Sequence, residues 1–141
     1  MGVTIGNNKK SIDLSYGGFN RLRTKVAYLA NEDLGKFYDE LNKSLSLFGK
    51  EREVFLEKYD ERLAKADEEF QVSEELLDFL YASDCEGKIT PKQCRHIYKV
   101  IKDYNDNLIY GYAGREDGAT FEDFKTIVYD CTKRNVQLRW F

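Results

Sequence analysis

Residues 11–29 read SIDLSYGGFNRLRTKVAYL, and a change of period inside them decides the fold. Ile12, Leu14 and Tyr16 alternate with Asp13 and Ser15, the spacing of a half-buried strand. From Phe19 the apolar residues recur at three and four, as Phe19, Leu22, Val26 and Leu29, which is one face of a helix. Gly17-Gly18 lies at the change. A strand that enters a helix through two glycines, with arginines in the first turns, is one way of holding an anion and also an ordinary way of turning a corner.

Downstream of this corner the pattern stays helical. Asn31-Glu32-Asp33 reads as a cap with acids in the first turn, opening a second helix with the stripe Leu34, Phe37, Tyr38, Leu41, Leu45 and Phe48, which Gly49 is expected to end. A third helix from about Lys50 to Phe70 carries a narrow seam of Phe55, Tyr59, Leu63, Ala66 and Phe70. Ser73 caps a short fourth helix whose Leu76, Leu77, Phe79 and Leu80 place it at the centre of the core. Ser83 to Thr90 is expected as a loop. Thr90-Pro91 starts a fifth helix, and Thr120 with Asp123 starts the last. Val136 to Phe141 alternates again. An isolated strand leaves its backbone groups unpaired, so residues 11–16 are expected to pair with 135–140. The fold class is therefore α+β and mainly helical, with five to six helices and a two-stranded antiparallel sheet formed by the N- and C-terminal segments. Residues 1–141 are expected to form a single domain, a size that buries a core without staples.

Composition excludes several function classes. No apolar run approaches the roughly 20 residues of a membrane span, and residues 1–10 lack the basic-then-apolar order of a secretory signal. A cytoplasmic protein that does not engage membranes is expected. Three cysteines, Cys85, Cys94 and Cys131, then read as reduced thiols. Net charge is −3, but residues 51–80 hold eleven acids against four bases, while residues 1–50 hold eight bases against five acids. No basic stripe spans the chain, which disfavours nucleic-acid binding.

Metals and catalysis find little support. Asp84, Glu86 and Gly87 fall on the positions of a calcium loop, but the first ligand position is Ala82 and the closing glutamate position is Gln93, so the reading is a turn. Cys85, Cys94, His96 and Cys131 include no C-x-x-C pair, and Cys94 and Cys131 sit on apolar stripes, so no metal is expected. His96 has no motif-placed nucleophile. No catalytic residue and no cofactor are assigned.

Binding remains. Arg21, Lys25 and Tyr28 share one flank of the first helix and Arg23 the other, so an anion at Gly17-Gly18 could be gripped from either side. Tyr16 and Trp140 would stack on it, and Arg115 in the glycine-containing loop is a further candidate. A second surface is the acidic helix, where Glu57, Asp60 and Glu61 would draw a basic partner.

At YASDCEGKITPKQC, YGGFNRLR and the ending VQLRWF the chain resembles an uncharacterised family of small proteins from Gram-positive bacteria and their phages. The shared marks are a Gly-Phe-x-x-Leu/Phe-Arg start, a Ser-Asp-Cys-Asp/Glu-Gly turn followed by Pro and Cys, and a Leu-x-Phe-type terminal strand. Family members often carry Glu where this chain has Gln93. A phage setting implies an anti-defence role, either capturing a nucleotide immune signal or acting as the inhibitor of a host protein. The expected function is that of a non-enzymatic binding protein sequestering an anionic, nucleotide-type small molecule. The alternative is an interaction module that binds a host protein through its acidic helix. The oligomeric state is left open.

Overall fold

The computed structural model describes residues 2–111 and 118–141. It opens on a hairpin. β1 (Gly2–Gly6) runs antiparallel to β2 (Ser11–Ser15), with Val3 opposite Leu14 and Ile5 opposite Ile12. Asn7 closes the turn, its Oδ1 accepting the N–H groups of Lys9 and Lys10, each at 2.9 Å. Gly6 is needed there, because a Cβ would lie 2.2 Å from the Lys10 carbonyl oxygen.

The helices follow as α1 (Tyr16–Ala30), α2 (Glu32–Lys43), α3 (Gly49–Leu63), α4 (Ala66–Phe70) and α5 (Glu74–Leu80). After β3 (Gly87–Ile89) come α6 (Pro91–Ile101), α7 (Phe121–Arg134) and β4 (Leu138–Trp140). The class is α+β and mainly helical. Four caps lie where the sequence puts them: Asn31 accepts from the Leu34 N–H, Ser73 from Leu76, and Thr90 and Thr120 form reciprocal capping boxes with Gln93 and Asp123.

Four expectations are corrected. The sheet has four strands in the order β2-β1-β4-β3, and residues 11–16 do not pair with 135–140. Residues 2–6 come between them: Ile5 stands opposite Trp140 and Gly6 opposite Arg139. A four-residue turn closes the β1–β2 pair at little entropic cost, so the local hairpin forms in preference to direct pairing of distant segments. Residues 87–89, expected as loop, form the outer strand beyond β4. The described residues hold seven helices, because the expected helix 50–70 breaks at Ala64-Lys65. The break swings Phe70 onto Phe37, ring centres 5.5 Å apart, which a straight helix would not do. Gly49, at φ +57°, begins α3 and does not end α2, which closes at Lys43.

One face of the sheet is the floor of the core. Val3, Ile5, Leu14, Ile89, Leu138 and Trp140 are buried against the helices, where Phe19, Phe79, Phe121 and Phe124 are fully enclosed. The intervening residues Thr4, Asp13, Lys88 and Arg139 alternate onto the opposite face, where Asp13, Lys88 and Arg139 are exposed. No helix among the described residues is long and apolar enough to cross a membrane.

Candidate functional site

The two glycines of the corner have different reasons. A Cβ on Gly17 would meet nothing within 4 Å, whereas one on Gly18 would sit 1.7 Å from the Tyr110 carbonyl oxygen. Only glycine lets that carbonyl lie against the first turn of α1. Ser15 Oγ accepts the Gly18 N–H at 2.9 Å. The donor that an anion would use is thus taken, and the chain's own backbone covers the approach.

The flank expected to grip an anion faces the segment before residue 111. Arg21 Nη2 donates to the Ile109 carbonyl at 3.2 Å, with its guanidinium 5.5 Å over the Tyr110 ring, and the Lys25 ammonium lies 5.3 Å from the centre of Tyr104. The Tyr104 and Tyr110 hydroxyls donate to Asp106 Oδ2 at 2.8 and 2.7 Å, and the Leu108 N–H donates to Oδ1 at 3.0 Å. Desolvation pushes the Asp106 carboxyl up, but these hydrogen bonds and the Lys25 charge outweigh it and hold the group below its ordinary value. The carboxylate drawn to this flank is the protein's own Asp106.

Arg23 turns inward and is 5% exposed. Its Nη1 donates to the Ala82 carbonyl at 2.7 Å and the Phe79 carbonyl at 3.4 Å, and the guanidinium lies 4.3 Å over the Phe19 ring. The Phe79 carbonyl belongs to the last turn of α5, where helix carbonyls lack partners and the dipole favours a cation, and Ala82 lies just beyond the helix end. Arg23 therefore caps α5 from α1.

Trp140, expected to stack on a ligand, is 1% exposed and belongs to the core. Its indole packs edge-on to Phe19 and Phe79, with ring centres 5.6 and 6.0 Å away, and Nε1 donates to the Ser83 carbonyl at 2.9 Å. Gly87 lies flat beneath it, since a Cβ would come within 2.3 Å of the ring. The segment SDCEG is thus the clasp on Trp140. Tyr16 is half-buried and hydrogen-bonds the Cys85 thiol, which the adjacent Asp84 pushes up. Arg115 lies outside the described residues.

Gln93 ties this clasp to α5. Its Oε1 accepts the Thr90 N–H at 2.6 Å while Nε2 donates to Asp78 Oδ2 at 2.9 Å. Gln93→Glu keeps the cap but sets a carboxylate against Asp78, and is expected to lower stability by about 1 kcal/mol at neutral pH. Repulsion raises both folded-state carboxyl pKa values, so the loss disappears as acid protonates one of them. Urea unfolding at pH 7 and below pH 4 checks this.

Cys94 and Cys131 are buried together between α6 and α7. The interaction of the two thiols, with burial, pushes the Cys94 thiol up, while Cys94 and the Asn7 Nδ2 donor 3.6 Å away lower that of Cys131. His96 is remote from them, 3.9 Å from Glu75. Among the described residues no three His, Cys, Asp or Glu side chains gather as a metal site.

The acidic surface is wider than Glu57, Asp60 and Glu61. These three are exposed on α3, where Tyr59 is the single buried residue. Where α4 folds back, a groove of about 330 Å³ opens between the end of α3 and α5. Leu63, Leu77 and Tyr81 give it an apolar floor, Asp67, Glu74 and Asp78 rim it, and none of its lining residues is basic. Leu77 is only half-buried, which corrects its expected place at the centre of the core. The signal lay in α5, where Glu74, Leu77, Asp78 and Tyr81 follow the spacing of one helix face. Asp67 adds itself only once the break at 64–65 is known.

No family model, curated protein or solved structure matches the chain.

Proposed function

We propose that the protein is a non-enzymatic interaction module that docks a basic segment of a partner protein in the groove between α3 and α5. The observation that supports this reading is the pairing of an apolar floor with three rim carboxylates. Side chains from the described residues leave Asp67 and Glu74 without an ion pair, and Asp78 holds only the amide of Gln93. A lysine or arginine can lay its apolar stem over Leu63, Leu77 and Tyr81 and present its charge to the rim. The exposed acids of α3 continue the negative field outward and would steer a basic partner toward the groove. Volume argues for a few anchoring side chains, because about 330 Å³ is at the low end for a ligand cavity. Arg23 and Trp140, expected to hold an anionic small molecule, are buried and hydrogen-bonded within the fold, which favours the groove as the docking surface.

The test is selection from a random-peptide display library on the protein, followed by titration of the enriched peptides. Basic peptides should emerge, and Asp67→Asn, Glu74→Gln, Asp78→Asn together should weaken them about tenfold or more, as should high salt. Enrichment of peptides without cations, or equal binding by the triple variant, overturns the reading. Loss of binding only on Glu57→Lys, Asp60→Lys, Glu61→Lys would move the docking surface onto α3.

A further inference from the structure

The sheet face of Thr4 and Arg139 carries a second, larger cleft of about 820 Å³, within the range of small-molecule sites. It lies between the hairpin turn and the chain that leads into and out of β4. One row of residues crosses the sheet beside it: Ser11 opposite Gly6, Gly6 opposite Arg139, and Arg139 opposite Lys88. Gly6, whose Cβ position is taken by the Lys10 carbonyl and Ser11, contributes only backbone to this row and lines the cleft together with Ser11 and Arg139.

Two features of the row call for an anion. Arg139, the cation that lines the cleft, is exposed and stands directly across from Lys88 on the neighbouring strand, a like-charge pair that costs stability until something negative offsets it; Lys88 itself lies outside the lining. The donors around the cleft are also unspent. Thr4 Oγ1 donates to Asp13 and Asn7 Nδ2 to Asp130, but the described residues supply no side-chain hydrogen bond to Asn8, Ser11, Gln137 or Arg139. Among the described residues no acidic side chain lines the cleft. Phe141 stands at its rim with 72% of its surface exposed, a flat apolar platform beside the cation.

We propose that this cleft binds a nucleoside monophosphate, the phosphate held by Arg139 with the Ser11 hydroxyl and the base lying on Phe141. A guanidinium fork matches phosphate oxygens in a bidentate way, and an exposed aromatic ring recognises any base by stacking. Asn8 and Gln137 offer both donors and acceptors to the base edge. The site is separate from the groove between α3 and α5, and each stands without the other.

Nitrogen-15-labelled protein titrated with AMP, GMP, CMP and UMP tests this, with adenosine and inorganic phosphate as the separated halves. At least one nucleotide should shift the amides of Gly6, Ser11, Gln137 and Arg139, and should bind about tenfold or more tightly than either half. Arg139→Ala should cut that affinity about tenfold with the melting temperature unchanged or raised, because it removes a like-charge pair from an exposed face. Phe141→Ala should lower affinity for the nucleotide and leave that for phosphate alone unchanged. Arg21→Ala, on the other side of the molecule's sheet joint, should bind as the parent does. The proposal is overturned if none of the four nucleotides shifts these amides at millimolar concentration, if the shifts map elsewhere, or if Arg139→Ala binds undiminished.

Discussion

Gly18→Ala is expected to lower stability by about 3 kcal/mol, the upper range for forcing a methyl into a packed site, while Gly17→Ala raises it by a few tenths. The adjacent glycines thus have opposite substitution effects. At Gly18 the obstacle is backbone: the new Cβ would lie 1.7 Å from the Tyr110 carbonyl oxygen and 2.9 Å from Ser15 Oγ, the atom that caps the helix. Relief requires α1 to move off the segment that Arg21 and Lys25 also hold. At Gly17 the methyl enters open space and restricts the unfolded chain. Urea denaturation of both variants checks the contrast. Equal effects would show that Tyr110 does not rest on the first turn.

Arg23→Met should cost about 3 kcal/mol, because it strips the buried carbonyls of Phe79 and Ala82 of their donor while roughly filling the volume. Arg23→Lys should recover only part of this, since an ammonium can serve the carbonyls that Nη1 serves but cannot reproduce the planar guanidinium lying over Phe19. Arg21→Ala, whose guanidinium is exposed and holds one carbonyl, should cost less than 1 kcal/mol. Thermal or urea unfolding of the three variants ranks them. A ranking with Arg21 above Arg23 would refute the capping role. It also follows that a binding defect in an Arg23 variant says nothing about a ligand, because the fold fails first.

The contrast between Arg21 and Arg23 shows where sequence reading ends. Periodicity correctly separates the two arginines onto different flanks of α1. It does not reveal that one flank meets the open carbonyls at the end of a helix more than fifty residues away. Caps were legible because they are local: Ser73, Thr90 and Thr120 each act on a residue three positions on. Val3 and Ile5 alternate in the sequence, but two apolar residues among glycines are too short a run to read as a strand, and β1 is the strand that separates residues 11–15 from β4. The break at Ala64-Lys65 had no glycine or proline to announce it. With the break, Phe70 packs on Phe37, and Arg62 lies over both rings while bonding Glu69 at 2.7 Å. That tertiary choice also creates the groove, so its acidic rim could not be assembled from the chain alone.

The enclosure of Trp140 has an optical consequence. It is the chain's single tryptophan, so emission from the folded protein comes from one indole, held dry among phenylalanines on the strand that joins β1 to β3. Its fluorescence should be blue-shifted when the sheet is closed and move red when β4 leaves its place or the Ser83 clasp opens. The colour of the emitted light therefore times the closing of the sheet joint, separately from the circular dichroism of the helices.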